Sequence, residues 1–241
     1  MNYNSAIFKI GGKILEDFGH LTTTISQLEF LYEENKLHKI ILIPGGGTIA
    51  NFIRNVYKEL KFTEELAHWM GIVSMNYNGI ELSKKFPKIE TIENFESFHE
   101  LDKIFCIFLP YEYLKANDKL PHSWEVTSDS ISLFLAKEIG LNACFLIKNV
   151  DGIFNDKNQL IKEVTTTEFR KLKDSDKLAN IGTIDNDLKT QSRPIDPYLI
   201  TLIKRYRIAC VILNGASKMN RIIEFFDESK SQREKNFTII K

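Results

Sequence analysis

The chain has 241 residues, 43% of them hydrophobic, and 32 lysines and arginines balance 32 aspartates and glutamates. That length allows one large α/β domain or two small ones with a sizeable core. The zero net charge leaves no electrostatic footprint for a nucleic acid, and no apolar run reaches the length of a membrane span. The first residues lack the basic start and long apolar core of a signal peptide. Cys106, Cys144 and Cys210 each sit in an apolar, strand-like run. This argues for core residues in a reducing cytoplasm and against a disulfide framework or a zinc site.

Residues 6–10, AIFKI, predict a short strand followed at once by Gly11 and Gly12. Lys9 is the anomaly, because a lysine near the end of a buried strand is costly unless its charge meets a partner. It reads either as an edge-strand lysine reaching water or as a cation aimed into a ligand crevice at the strand ends. Lys13 is a weaker second cation from the same loop. Residues 18–35 carry Leu21, Ile25, Leu28 and Leu31 on one helical face. The chain then returns in residues 39–54, KIILIPGGGTIANFIR, which read as strand, glycine turn and helix. Backbone N–H groups of Gly45, Gly46 and Gly47 and of the first helical turn would surround one point there, a setting that favours a phosphate. A tight turn without a ligand is the alternative.

Residues 62–86 predict another helix, starting near Thr63 and carrying His68 and Trp69. Both read as packed residues, with His68 also a candidate wall of an acceptor pocket. A strand at 88–92, a helical turn at 93–102 and a strong buried strand at 104–109 follow, and 111–120 reads as polar and irregular. Residues 121–140 hold a helix marked by Ile131, Phe134, Leu135 and Ile139, with Thr127 or Ser128 at its N-cap and Asp129 in its first turn. Asp129 either favours the helix dipole or holds phosphate-handling lysines. Residues 143–150, ACFLIKNV, form the next core strand, and Lys148 near its end repeats the puzzle of Lys9 before the turn pair Asp151–Gly152. Further on come a short helix near 165–168, a polar loop or lid at 173–193, and a helix begun by Asp196–Pro197 and reaching 206. Then come a strand at 208–213 ending in Asn214–Gly215, a helix at 218–226 and a final strand at 237–240. Strands alternating with helices predict a single αβα sandwich around a mostly parallel sheet. Two lysine-plus-glycine strand ends, a glycine cradle and one acid converge on phosphoryl transfer, which needs positioning and positive charge around the moving group.

These ordered motifs resemble the amino acid kinase superfamily over nearly the whole chain, from KIGGK at Lys9 to NG at Asn214–Gly215. Within it, PGGG, HSWEVTSDSI, KNVDGIF and DPYL look most like the kinases of methanofuran biosynthesis, whose acceptor is an aminomethylfuran-methyl phosphate. The resemblance implies ATP and Mg2+ as cofactors, a small-molecule acceptor, and a homodimer or higher homo-oligomer formed through the N-terminal half. It implies catalytic roles for Lys9, Asp129 and Lys148. It puts Gly11, Gly12, Lys148, Asp151 and Gly152 on the nucleotide side. It puts Gly45, Gly46, Gly47, His68, His122 and Ser123 on the acceptor side. Many members carry a Gly-Gly-Met segment with a downstream lysine. Here that region reads ANIGTIDNDLKTQSRPID, so either Lys148 or Lys189 supplies the second charge or the chain is catalytically weak. A non-catalytic nucleotide- or oxyanion-binding protein on the same fold, and a carboxylate kinase, are the alternatives.

Overall fold

The apolar runs become the middle of an eight-stranded sheet. In the computed structural model, which describes residues 3–179, 195–216 and 220–241, β1 (Ser5–Ile10) is central. It lies parallel to β2 (Lys39–Pro44) on one side and to β5 (Ala143–Lys148) on the other. Beyond β2 come β4 (Ile104–Phe108) and β3 (Glu90–Ile92), both parallel. Beyond β5 come β9 (Ala209–Asn214), parallel, then β10 (Thr238–Ile240), which runs antiparallel to β9 and parallel to the last strand, β8 (Glu163–Val164). β6 (Ile153–Phe154) and β7 (Leu160–Ile161) pair as a separate small hairpin. The order is thus β3-β4-β2-β1-β5-β9-β10-β8. The chain builds outward from β1 in one direction first and then, from β5, in the other. Such a reversal opens a crevice at the carboxyl ends of the strands.

Both faces of the sheet are covered, as the expected sandwich requires. Alternation along β1, β2 and β5 sends Phe8, Ile10, Leu42, Phe145 and Ile147 to one face. They pack there against α2 (Phe18–Glu33) and α10 (Arg221–Phe226). Ile7, Ile41, Ile43, Cys144 and Leu146 go to the other face, against α7 (Ser128–Glu138) and α9 (Leu199–Tyr206). Each such side chain contributes about 1.5–3 kcal/mol by leaving water. Lys9 and Lys148 share the parity of Ile7 and Leu146, so both point to the α7 face.

The remaining helices are α1 (Gly12–Leu15), α3 (Gly47–Leu60), α4 (Glu64–Lys85), α5 (Glu96–Glu100), α6 (Pro110–Ala116) and α8 (Thr166–Asp174). Thr63 caps α4 by accepting from the Leu66 N–H at 3.2 Å, with Glu64 and Glu65 in the first turn. Thr165 and Glu168 form a reciprocal capping box at α8.

Two expectations change, and one unread stretch gains structure. The stretch 111–120 is largely α6, because Pro110 both ends β4 and opens a helix at its first position, and Leu114 buries. Residues 153–164 form three two-residue strands, too short to leave a period in the sequence. The helix expected at 218–226 is α10, six residues from Arg221, and residues 218 and 219 lie outside the described residues. The proposed lid at 173–193 starts as the end of α8, and its part from residue 180 on, including Gly182 and Lys189, lies outside the described residues. The three cysteines are free and buried, as expected. No helix of the described residues is long and apolar enough to cross a membrane.

Candidate active site

Lys9 is not at a sheet edge: β1 is hydrogen-bonded on both sides. Its ammonium, 5% exposed as a residue, meets the Asp129 Oδ1 at 2.8 Å. Lys148 donates to both oxygens of the same carboxylate, each at 2.8 Å. The register explains the meeting. Lys9 lies opposite Leu146, so Lys148 stands two residues further along β5 on the same face. The first turn of α7 crosses that face with Asp129. A buried and a half-buried cation therefore share one buried anion, leaving a net positive charge at the crevice. Burial pushes the Lys9 ammonium down to about 8, with Asp129 opposing. Burial acts on Lys148 in the same sense, but its two-oxygen grip on Asp129 outweighs this and raises it. Burial pushes Asp129 up, yet the lysines win and hold it at about 2.

The two glycine turns face each other above this triad. A Cβ on Gly12 would lie 3.0 Å from the Gly47 Cα, and one on Gly45 would lie 3.3 Å from both the Lys9 Cε and the Ser128 Oγ. Gly47 also needs its positive φ of 54°. The Gly45 N–H does not face a ligand, because it donates to the Ile10 carbonyl at 2.9 Å. The first N–H groups of α3 have no intrahelical partner by position, and no side chain caps them. Glu16, held by the Thr48 hydroxyl at 2.8 Å, ties the two turns together from outside. The uncapped donors of this turn therefore lie at the α3 start rather than at Gly45.

Across the crevice, the 121–127 segment folds against α3 and α4. His68 and His122 stack with centroids 5.1 Å apart, and Trp69 meets the His122 ring edge-on at 5.2 Å. Burial, helped by His122, pushes the His68 imidazole down to about 4. His122 bonds to Asp118 at 2.8 Å, and the Ser123 hydroxyl accepts from the Glu125 N–H at 3.1 Å. Trp124 stands 3.8 Å from the Cβ position of Gly71, whose carbonyl is in turn 3.5 Å from that of Gly46. The Arg54 guanidinium lies 4.6 Å from the centre of the Trp124 ring. Among the described residues its buried Nε has no partner, nor have the indole N–H groups of Trp69 and Trp124. Burial lowers the Arg54 pKa.

The profile described as the amino acid kinase family matches residues 91–214. A (5-(aminomethyl)furan-3-yl)methyl phosphate kinase of Methanocaldococcus jannaschii is 31% identical over 87% of each chain. The chain belongs to the amino acid kinase family. A uridylate kinase of Metallosphaera sedula is 22% identical over 90% of this chain and 94% of its own. The crystal structure of a UMP kinase from Ureaplasma parvum superposes with a TM-score of 0.68 at 20% identity, covering 100% and 99% of the two chains. The protein is a phosphotransferase, a kinase of small molecules.

In this kinase the glycines and Asp151 of the expected nucleotide side have local explanations of their own. A Cβ on Gly11 would come within 2.8 Å of the Ile147 carbonyl, and one on Gly152, at φ 148°, within 2.3 Å of the Thr238 hydroxyl. Both are required by close backbone packing. Asp151 accepts from the Asn214 amide at 2.9 Å at the ends of β5 and β9. Sequence reasoning passed over Arg54 and Trp124 as site residues and read Ser128 and Asp196 only as helix starts. Arg54 falls on the polar face of α3 by spacing, and only the fold brings it onto an indole.

Proposed function

We propose that this kinase transfers the γ-phosphoryl group of ATP to a phosphate monoester of a small, aminomethylfuran-like molecule. The observation that carries the reading is the paired cation, Lys9 and Lys148 on one carboxylate, at the reversal point of the sheet and beneath the α3 start. An acceptor phosphate is ionised at neutral pH and attacks without a general base. One of its oxygens bonds to the γ-phosphorus as the bond to the bridging oxygen breaks, and ADP leaves. Lys9 and Lys148 neutralise charge on the moving group, and N–H groups of Gly46, Gly47 and Thr48 hold its oxygens. Asp129 keeps both cations charged and aimed.

The N-terminal half takes the acceptor and the C-terminal half the nucleotide, with Gly11, Gly12, Lys148, Asp151 and Gly152 on the latter side. His68, His122 and Ser123 wall the acceptor site beside Gly45, Gly46 and Gly47. The acceptor side offers donors unpaired among the described residues, Arg54 Nε and the indole N–H of Trp124, which suits an anion. Mg2+ supplies charge neutralisation at the phosphates when bound. Among the described residues no cluster of three His, Cys, Asp or Glu side chains suits a metal, and Asp129 is already engaged.

The enzyme works in the cytoplasm as a homodimer, through the exposed stripe Leu66, Met70, Val73, Tyr77 and Ile80 on α4 and Phe52 on α3. Phosphorus NMR with Mg-ATP and a panel of monophosphates and carboxylates tests the function. A diphosphate product with ADP supports it. An acyl phosphate moves the protein to the carboxylate branch, and ATP binding without turnover of any acceptor favours a binding protein.

A further inference from the structure

The N-terminus of α7 carries the anion of the triad, yet it does not cap itself. Thr127 stands at the N-cap position with no side-chain cap bond. The cap comes from 66 to 69 residues away, from Asp196 just ahead of α9. Asp196 Oδ2 accepts from the Thr127 N–H at 3.0 Å, the Thr127 hydroxyl at 2.9 Å and the Ser130 N–H at 2.9 Å. Its Oδ1 accepts from the Ser130 hydroxyl at 2.5 Å and from the Leu199 N–H at 2.8 Å. Asp196 is 7% exposed. Five donors and two helix starts thus converge on one buried carboxylate.

What lies inside this clamp gives it a consequence. Its contacts fall on Thr127 and Ser130, and the two residues between them are Ser128 and Asp129. Ser128 reaches Gly45, and Asp129 holds Lys9 and Lys148. A carboxylate serves here where an amide or hydroxyl does not, because all five groups aimed at it are donors. We propose that Asp196 is a positioning residue for phosphoryl transfer: by clamping the first turn of α7 it sets the Asp129 carboxylate, and through it the two lysine ammonium groups, in register with the glycine turns. The proposal rests on the reading that this site transfers a phosphoryl group. It explains why an acid sits at this point ahead of α9. α9 itself needs only one of the five bonds.

The test compares wild type, Asp196→Asn and the double variant Thr127→Val with Ser130→Ala, which removes the clamp's hydroxyl donors but keeps its backbone ones. Asp196→Asn puts an NH2 group against one set of donors. The expected result is a fall in kcat of about tenfold to a hundredfold, as for a displacement of the order of 1 Å in a catalytic group, with the KM for ATP little changed. The double variant shifts the same way by less. A second readout needs no turnover: 15N-lysine NMR of the Lys9 ammonium, whose midpoint lies near 8 in wild type and moves down as Asp129 draws away. Folded Asp196→Asn with kcat within about twofold of wild type and an unmoved Lys9 midpoint overturns the proposal and leaves Asp196 a helix cap. If Asp196→Asn does not fold, the double variant decides by the same two readouts. If wild type shows no phosphoryl transfer, the functional reading fails, and the Lys9 midpoint still decides whether Asp196 positions Asp129.

Discussion

The triad and the wall across from it are both buried and polar, but they are satisfied in opposite ways. Lys9, Lys148 and Asp129 consume one another's charge: three bonds of 2.8 Å close the cluster within the protein. Arg54, Trp69 and Trp124 keep buried N–H donors without partners among the described residues. An orphaned buried donor costs on the order of 1–3 kcal/mol, which a packed protein tolerates where a ligand is to bind. The contrast teaches how the work is divided. Under the proposed function, a preorganised triad need not rearrange as charge develops on the moving phosphoryl group, and the open donors of the wall are the groups that would select the acceptor.

Breaking the closed side brings the largest effects. Asp129→Ala leaves two buried ammonium groups facing each other, and we expect a loss of about 3–5 kcal/mol in unfolding free energy by urea denaturation. A variant as stable as wild type would show that the triad does not support itself. Lys9→Ala leaves Asp129 paired with Lys148, so the fold holds while turnover falls about 10²–10³-fold. Near-normal turnover would remove Lys9 from the mechanism.

On the open side, Arg54→Ala deletes a buried Nε donor that nothing among the described residues uses. Stability changes little, while the KM for the acceptor rises about tenfold or more, in line with about 1.5–3 kcal/mol for a charged hydrogen bond. The KM for ATP stays as it was, and an unchanged acceptor KM would take Arg54 out of the site.

Titration sharpens the same contrast with smaller changes. Lys9 gives up its proton near pH 8, so kcat/KM, which reports the free enzyme, declines on a basic limb centred there, and a flat profile to pH 9.5 (~1.5 units beyond) would contradict it. Asp129 titrates near 2 in the folded protein against an ordinary 3.8. The unfolded chain takes up that proton first as pH falls. The carboxylate's contribution to stability is therefore whole above 3.8 and is lost as pH drops towards about 2.

Much of the site was legible because the anomalies were local. A lysine at the end of an apolar strand is costly wherever it occurs, so Lys9 and Lys148 announced themselves, and Asp129 stood out in a first helical turn. The glycines were legible as turns, but not in their reasons: Gly11 and Gly152 answer to close packing with Ile147 and Thr238, two long-range neighbours. Asp196 read as the start of a helix, which it is, yet four of its five bonds go to a different helix. His68 and His122 read separately as packed residue and acceptor contact, and the fold stacks them.

By itself, then, the sequence determined the alternation of strands and helices, the crevice at the strand ends, the sandwich, and the identity of the charged trio. These rest on periodicity, turn chemistry and the cost of burying charge, all of which act over a few neighbouring residues. The tertiary structure decided which groups share that crevice: one carboxylate between two lysines, an arginine laid on an indole, and an aspartate from ahead of α9 capping α7. Those pairings depend on strand order and helix placement, and two residues nearly seventy positions apart leave no local trace of the bond that joins them.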